Sequence, residues 1–300
     1  TTSASNATIT LDETGSTFAA GVSLNTTGSS GNATVDTGTN ALDIAASTIG
    51  GNLALTAGNH ITDSGVLTVG GTSSFTADVN DKTITLTEAH VLTGAISITT
   101  TDDEATTSND ADVSITGINS GIELKLGTLN IKGDFSIATS NTVGISDEGL
   151  LTIHGTSTFV TSADNATIIL DSANLFSGGT NGTVDLSTQG TSGHVTLNVG
   201  ASTDLRFAAS EVRGNLTVTT GSGSAVAQRG ILTVDGTTDI TANNGASNIS
   251  LNGYENVLTG AISLKGHNSR VINSKAVEVG TVDAAAMVVT ARGAITQSGV

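Results

Sequence analysis

One motif recurs along the chain in a fixed order, and that recurrence constrains the fold more than any single residue. ITDSGVLTVGGTS (Ile61–Ser73) returns as ISDEGLLTIHGTS (Ile145–Ser157), more loosely as AVAQRGILTVDGTT (Ala225–Thr238), and starts again as AITQSGV (Ala294–Val300). The aligned glycines Gly65, Gly149, Gly230 and Gly299 lie 84, 81 and 69 residues apart. The flanks recur in the same order. GGNLALTAG (Gly50–Gly58), GDFSIATS (Gly133–Ser140), GNLTVTTG (Gly214–Gly221) and AAMVVTARG (Ala285–Gly293) precede the motif. DKTITLTE (Asp81–Glu88), NATIILDS (Asn165–Ser172) and NISLNGY (Asn248–Tyr254) follow it, as NATITLDE (Asn6–Glu13) does one unit earlier. Self-similarity at such a period marks units that bury their apolar faces on one another. The chain reads as about four tandem units of roughly 80 residues.

Within a unit the period is two. ATITL, GAISI and NLTVTT alternate apolar and small polar residues over four to six positions, the pattern of a half-buried strand. Helical spacing is nearly absent, and Gly, Asn, Asp and Ser break the strands. Short strands at short spacing predict an all-β chain wound as a parallel β-helix (β-solenoid), with a sandwich array and a propeller as competing folds. Each coil then stacks like side chains at about 4.8 Å. Ile9/Leu11, Ile84/Leu86, Ile168/Leu170 and Ile249/Leu251 are the expected inward pairs. A coil of roughly 20 residues predicts about 15 coils, a rod of about 70 Å, and about four coils per unit, so that equivalent groups recur every ~19 Å. The shortened last interval places a lost half-coil or a shortened turn near Lys265–Asp283.

Composition agrees with this winding. The chain has no Pro, Cys or Trp, one Met, one Tyr and 37 Gly. Without Pro, every internal strand keeps the N–H that the next coil needs. Hydrophobic residues make up 37% and mean hydropathy is +0.14, with many Val, Ile and Thr, so the chain can bury a core and is not a disordered one. Aromatics at 2% imply a thin core of stacked aliphatic side chains. Burying one of these stabilises by roughly 1.5–3 kcal/mol, so dozens can offset the cost of ordering the chain.

The net charge is −17, and no Lys or Arg precedes Lys82, which argues against nucleic acid as a partner. No apolar run reaches ~18 residues, so no helical membrane insertion is expected. The first residues lack Met, and the fourth motif copy stops at Val300. Residues 1–300 therefore read as one continuous segment of a longer array, without separate domains. Nothing resembling a cap stands at either end, and uncapped strand edges are templates for association.

The order NALDIAASTIGGNLALTAGNHITDSGVLTVGGTSSFTA, then ITL, then LTGAISI, resembles the degenerate repeats of filamentous haemagglutinin-type exoproteins, bacterial surface adhesins of the two-partner secretion class. The resemblance covers nearly the whole chain. It implies a right-handed parallel β-helix, export through the outer membrane, an extracellular or cell-surface location, and a role in cell adhesion or biofilm as a stalk or filament.

Candidate chemistry is sparse. Gly70-Gly71 follows a strand, as a phosphate loop would, but no Lys-Ser/Thr follows, and the first Gly becomes His154 or Asp235 in the copies. A turn between rungs is the expectation. His60, His90, His154, His194 and His267 form no close metal-binding pair and read as solvent-facing or turn residues. No catalytic or cofactor-binding residue is assigned, and the chain is read as no enzyme. Asp102, Asp103, Glu104, Asp110 and Asp112 are the densest carboxylates and the one calcium candidate. Their spacing matches neither an EF-hand nor the glycine-rich nonapeptide repeat, so a solvated acidic loop is the plainer reading. Asn-x-Ser/Thr at Asn6, Asn25, Asn32, Asn165, Asn181, Asn215 and Asn248 are candidate glycosylation sites.

The expected function is a structural and adhesive extracellular rod whose partners are host or other cell surfaces. The alternative is a self-assembling filament or sheath subunit associating end to end or laterally with copies of itself. A polysaccharide-processing β-helix enzyme is more distant, since one Tyr and no Trp leave little for sugars to stack on.

Overall fold

The computed structural model describes residues 1–13, 15–102, 111–176 and 182–299. Among these the only helical piece is one short 3-10 turn, Asn243–Gly245, and the strands pair in parallel throughout. They form a 15-stranded, a 14-stranded and a 3-stranded sheet. The chain is a parallel β-solenoid.

One coil shows how the sequence builds the rest. Leu53–Ala57, Ile61–Asp63 and Leu67–Val69 lie in three different sheets, separated by short polar corners. The next strand, Ser73–Asn80, returns onto the first, with Leu53 beside Ser73, Leu55 beside Phe75 and Ala57 beside Ala77. Because successive side chains on a strand point to opposite faces, Leu53, Leu55 and Ala57 are buried while Ala54 and Thr56 are less so. The inward residues join into a single core cluster from Val22 to Val277.

The expected inward pairs Ile84/Leu86, Ile168/Leu170 and Ile249/Leu251 are fully buried. Ile9/Leu11 is a correction: Ile9 packs partly against the core and Leu11 is exposed, because their coil has a neighbour on one side only. The core is also less purely aliphatic than expected. Five of the six Phe are buried. Phe159 stands edge-to-face between Phe135 at 5.5 Å and Phe176 at 6.2 Å, so three of the buried rings pack on one another.

The expected coil of 20 residues holds only for some coils, such as Ala33 to Leu53 to Ser73. The step is 23 from Ser73 to Ile96 and 27 from Ile168 to Val195. The solenoid therefore makes about 12 coils rather than 15, which at about 4.8 Å each is a rod of roughly 55–60 Å. Corners absorb the extra residues, and corner length is not set by strand period. The shortening expected near Lys265–Asp283 is present as a step of 17 from Ile262 to Val279.

A unit is not four whole coils, and this corrects the expected axial recurrence. The column Ile61, Ile84, Val113, Phe135 climbs three coils and carries the second strand of one unit onto the first strand of the next. Ile145, Ile168, Val195, Leu216 repeats the relation one unit later. Each unit thus winds three coils plus one face. Its opening motif shifts accordingly: Leu67–Val69 lies in the 3-stranded sheet, Leu151–Ile153 in the 15-stranded sheet and Leu232–Val234 in the 14-stranded sheet. Equivalent surface groups turn about the axis by a face per unit instead of lining one side.

Phe159→Ala should lower unfolding free energy by about 3–5 kcal/mol, since it removes the middle ring of the aromatic stack. Phe159→Ile should cost less, because its counterpart one unit later is already Ile240. Denaturant unfolding of both variants measures the difference.

Candidate functional site

The Gly70-Gly71 stretch is a corner, and its backbone donors are already engaged. Gly51 N donates to Gly31 O at 3.1 Å, Gly71 N to Gly51 O at 2.9 Å and Gly94 N to Gly71 O at 3.1 Å, forming a glycine column across four coils. Gly155 on Gly133, then Gly214 on Gly193, Gly236 on Gly214 and Gly260 on Gly236, repeat it in the later units. A Cβ on Gly71 would stand 2.1 Å from Asn52 Oδ1. The aligned motif glycines have a similar origin. A Cβ on Gly65, Gly149 or Gly230 would lie 2.3, 2.7 or 2.2 Å from the backbone N of Ala46, Thr128 or Ala209 in the coil below. Close approach of backbones, rather than ligand binding, selects these glycines.

Beside the glycine column runs a ladder of side-chain acceptors. In the first unit Asn52 N donates to Asn32 Oδ1 at 2.8 Å and Thr72 N to Asn52 Oδ1 at 2.9 Å. In the second, Asp134 N donates to Asp112 Oδ1 at 2.7 Å and Thr156 N to Asp134 Oδ1 at 2.6 Å. In the third, Asn215 N donates to His194 Nδ1 and Thr237 N to Asn215 Oδ1, both at 2.9 Å. Amide, carboxylate and imidazole fill one role, that of accepting the N–H with which a strand begins.

This ladder bears on the sequence candidates. Asp112, from the calcium set, is one of its acceptors. Asp103, Glu104 and Asp110 lie outside the described residues, and among the described residues no three or more His, Cys, Asp or Glu side chains converge as metal ligands. Asp102 ends the segment before that gap. Of the sequon asparagines, Asn6, Asn32, Asn165, Asn215 and Asn248 each accept a backbone N–H from the following coil, and Asn181 lies outside the described residues.

A second polar corner is buried, and sequence reasoning missed it. Leu67 N donates to His90 Nδ1 at 2.9 Å, Leu151 N to Asn174 Oδ1 at 2.9 Å and Leu232 N to Asn256 Oδ1 at 2.9 Å. Leu92 on Asn119 and Leu258 on Asn273 repeat the bond on other coils. Each motif corner has a second polar partner. Asp63 Oδ2 lies 3.1 Å from His90 Nε2; Asn174 Nδ2 donates to Asp147 Oδ2 at 2.7 Å; Asn256 Nδ2 donates to Gln228 Oε1 at 3.0 Å. The two carboxylates also hold the backbone: Asp63 accepts Thr87 N and Glu88 N, and Asp147 accepts Asp171 N and Ser172 N.

His90 is therefore not solvent-facing but 1% exposed. Burial lowers its pKa below the ordinary 6.5, against the opposing pull of Asp63 and Glu88. The signal was present in the alignment. His90-Val-Leu-Thr-Gly, Asn174-Leu-Phe-Ser-Gly and Asn256-Val-Leu-Thr-Gly put a polar residue at the same place in every unit.

The model of a family described as repeats of unknown function (DUF5649) matches residues 30–99, 110–183 and 192–265, well over half of the chain. The chain belongs to that family. No curated protein and no solved structure matches it. Each DUF5649 repeat holds one such side-chain pair at its motif corner: Asp63 with His90, Asp147 with Asn174, and Gln228 with Asn256. The incomplete fourth copy from Ala285 lies beyond the matched stretches.

Asn256→Ala should destabilise by about 1–3 kcal/mol for each buried group left without a partner, chiefly Leu232 N–H and Gln228. Denaturant unfolding measures the loss, and faster amide exchange at Leu232 locates it.

Proposed function

We propose that the chain is a structural rod of the adhesive, extracellular kind, a stalk or filament segment at a bacterial surface, as its resemblance to filamentous haemagglutinin-type repeats suggests. The observation that carries this reading is where the polar groups go. Glycine N–H groups, corner carboxylates, amides and imidazoles are taken up by the neighbouring coil. Such bonding stiffens the rod along its axis. A non-catalytic role without a resident cofactor follows from the same reading. No helix among the described residues is long and apolar enough to cross a membrane, and the partners proposed are cell surfaces or other copies of the rod.

Antibodies raised against the chain should label intact cells that produce it, and negative-stain images of the purified chain should show rods of roughly 55–60 Å. Labelling only after permeabilisation would overturn the surface assignment. Concentration-dependent polymers of the purified chain would replace the stalk with a self-assembling filament subunit. Release of reducing ends from polysaccharides would make the chain an enzyme.

A further inference from the structure

The three motif corners share the bond that closes them, and only the first can titrate at its acceptor. We propose that the Asp63–His90 corner is an acid-operated latch, in which protonation of His90 Nδ1 releases the Leu67–Val69 strand while the matching strands Leu151–Ile153 and Leu232–Val234 stay closed.

The hydrogen bond from Leu67 sets the tautomer. Leu67 N–H points at Nδ1, so Nδ1 carries the lone pair and Nε2 carries the hydrogen; Asp63 Oδ2 lies 3.1 Å from Nε2 but out of line for a hydrogen bond. Adding a proton to Nδ1 makes both ring nitrogens donors. Leu67 N–H then faces another N–H inside the core, where water does not replace the lost acceptor. Asp63 offsets this only in part. Its carboxylate favours the charged ring but lies on the opposite, Nε2 side and already accepts Thr87 N at 2.9 Å and Glu88 N at 2.8 Å.

The charged groups acting on the ring are Asp63, from the coil below, and Glu88, from its own corner. From the coil above comes Asn119, uncharged, whose N donates to His90 O at 2.8 Å. His60 and His194 also accept backbone N–H groups through Nδ1, from Thr83 and Asn215, but at exposed corners where water can take over. Asn174 and Asn256 accept through amide oxygens, which do not titrate.

The three seams are otherwise matched. Each motif strand pairs over three residues with the coil below and over two with the coil above. The other two repeats therefore serve as internal controls for the loss of one side-chain acceptor.

The sign follows from the depressed value of His90. The unfolded or opened imidazole binds its proton near the ordinary 6.5, above the closed one. Closure is fully stable above that value and weakens as pH falls from it toward the depressed closed-state value, by at most about tenfold per pH unit for one proton.

Amide exchange, corrected for intrinsic rates and compared between about pH 7.5 and about pH 5, tests the latch. Protection across Leu67–Val69 should fall in excess of any change at Leu151–Ile153 and Leu232–Val234. His90→Asn, which supplies the acceptor used in the other two repeats, should abolish that excess. Asn174→His, set beside Asp147 as His90 is beside Asp63, should move an acid-sensitive seam to Leu151–Ile153. Equal loss of protection in all three repeats, persistence of the effect in His90→Asn, or an acid-insensitive seam in Asn174→His would each overturn the latch.

Discussion

The structure depends on backbone hydrogen bonds made between coils rather than within them. Most strands have partners one coil above and one below, about 4.8 Å away. Any residue that interrupts this ladder must be replaced as donor or acceptor by something else. The absence of Pro, the glycine columns at Gly31–Gly51–Gly71–Gly94 and Gly193–Gly214–Gly236–Gly260, and the side-chain acceptors at the corners are three responses to that requirement. The corners are where it is hardest to meet, because there the chain turns away from ladder geometry. Asn, Asp and His are placed there to accept the N–H groups that would otherwise be orphaned.

The same constraint explains why the repeat units tolerate so much substitution. A corner needs an acceptor at a given height, and it does not need a particular one. Asn32 and Asn52, Asp112 and Asp134, then His194 and Asn215 serve in turn. At the buried corner the exchange of His90 for Asn174 and Asn256 keeps the hydrogen bond and changes its dependence on protons. Equivalence in fold thus hides a difference in chemistry, and comparing repeats within one chain shows which features belong to the scaffold and which to a single unit.

Much of the architecture was legible in the linear pattern. The two-residue alternation around Leu53, Leu55 and Ala57 predicted the buried face, and the recurring motif predicted stacked units. The polar corners were less legible. His90 looked like a surface residue because a lone imidazole between Ala89 and Val91 has no local feature that marks it as inward. Its acceptor role depends on Leu67, a full coil away, and its burial on the coil that carries Asn119. Asp112 looked like one of an acidic loop, but it accepts the N–H of Asp134 from the next coil.

By itself the sequence determined that the chain is all-β, that it is built from tandem units near 80 residues, and which side chains of each strand face inward. Those are local properties, carried by alternation and by recurrence. Only the tertiary structure decided how many residues close a coil, and therefore that a unit winds three coils plus one face and turns its motif from sheet to sheet. Coil closure is set by corner lengths and by register between residues 17 to 31 positions apart. A period of two carries no record of that distance.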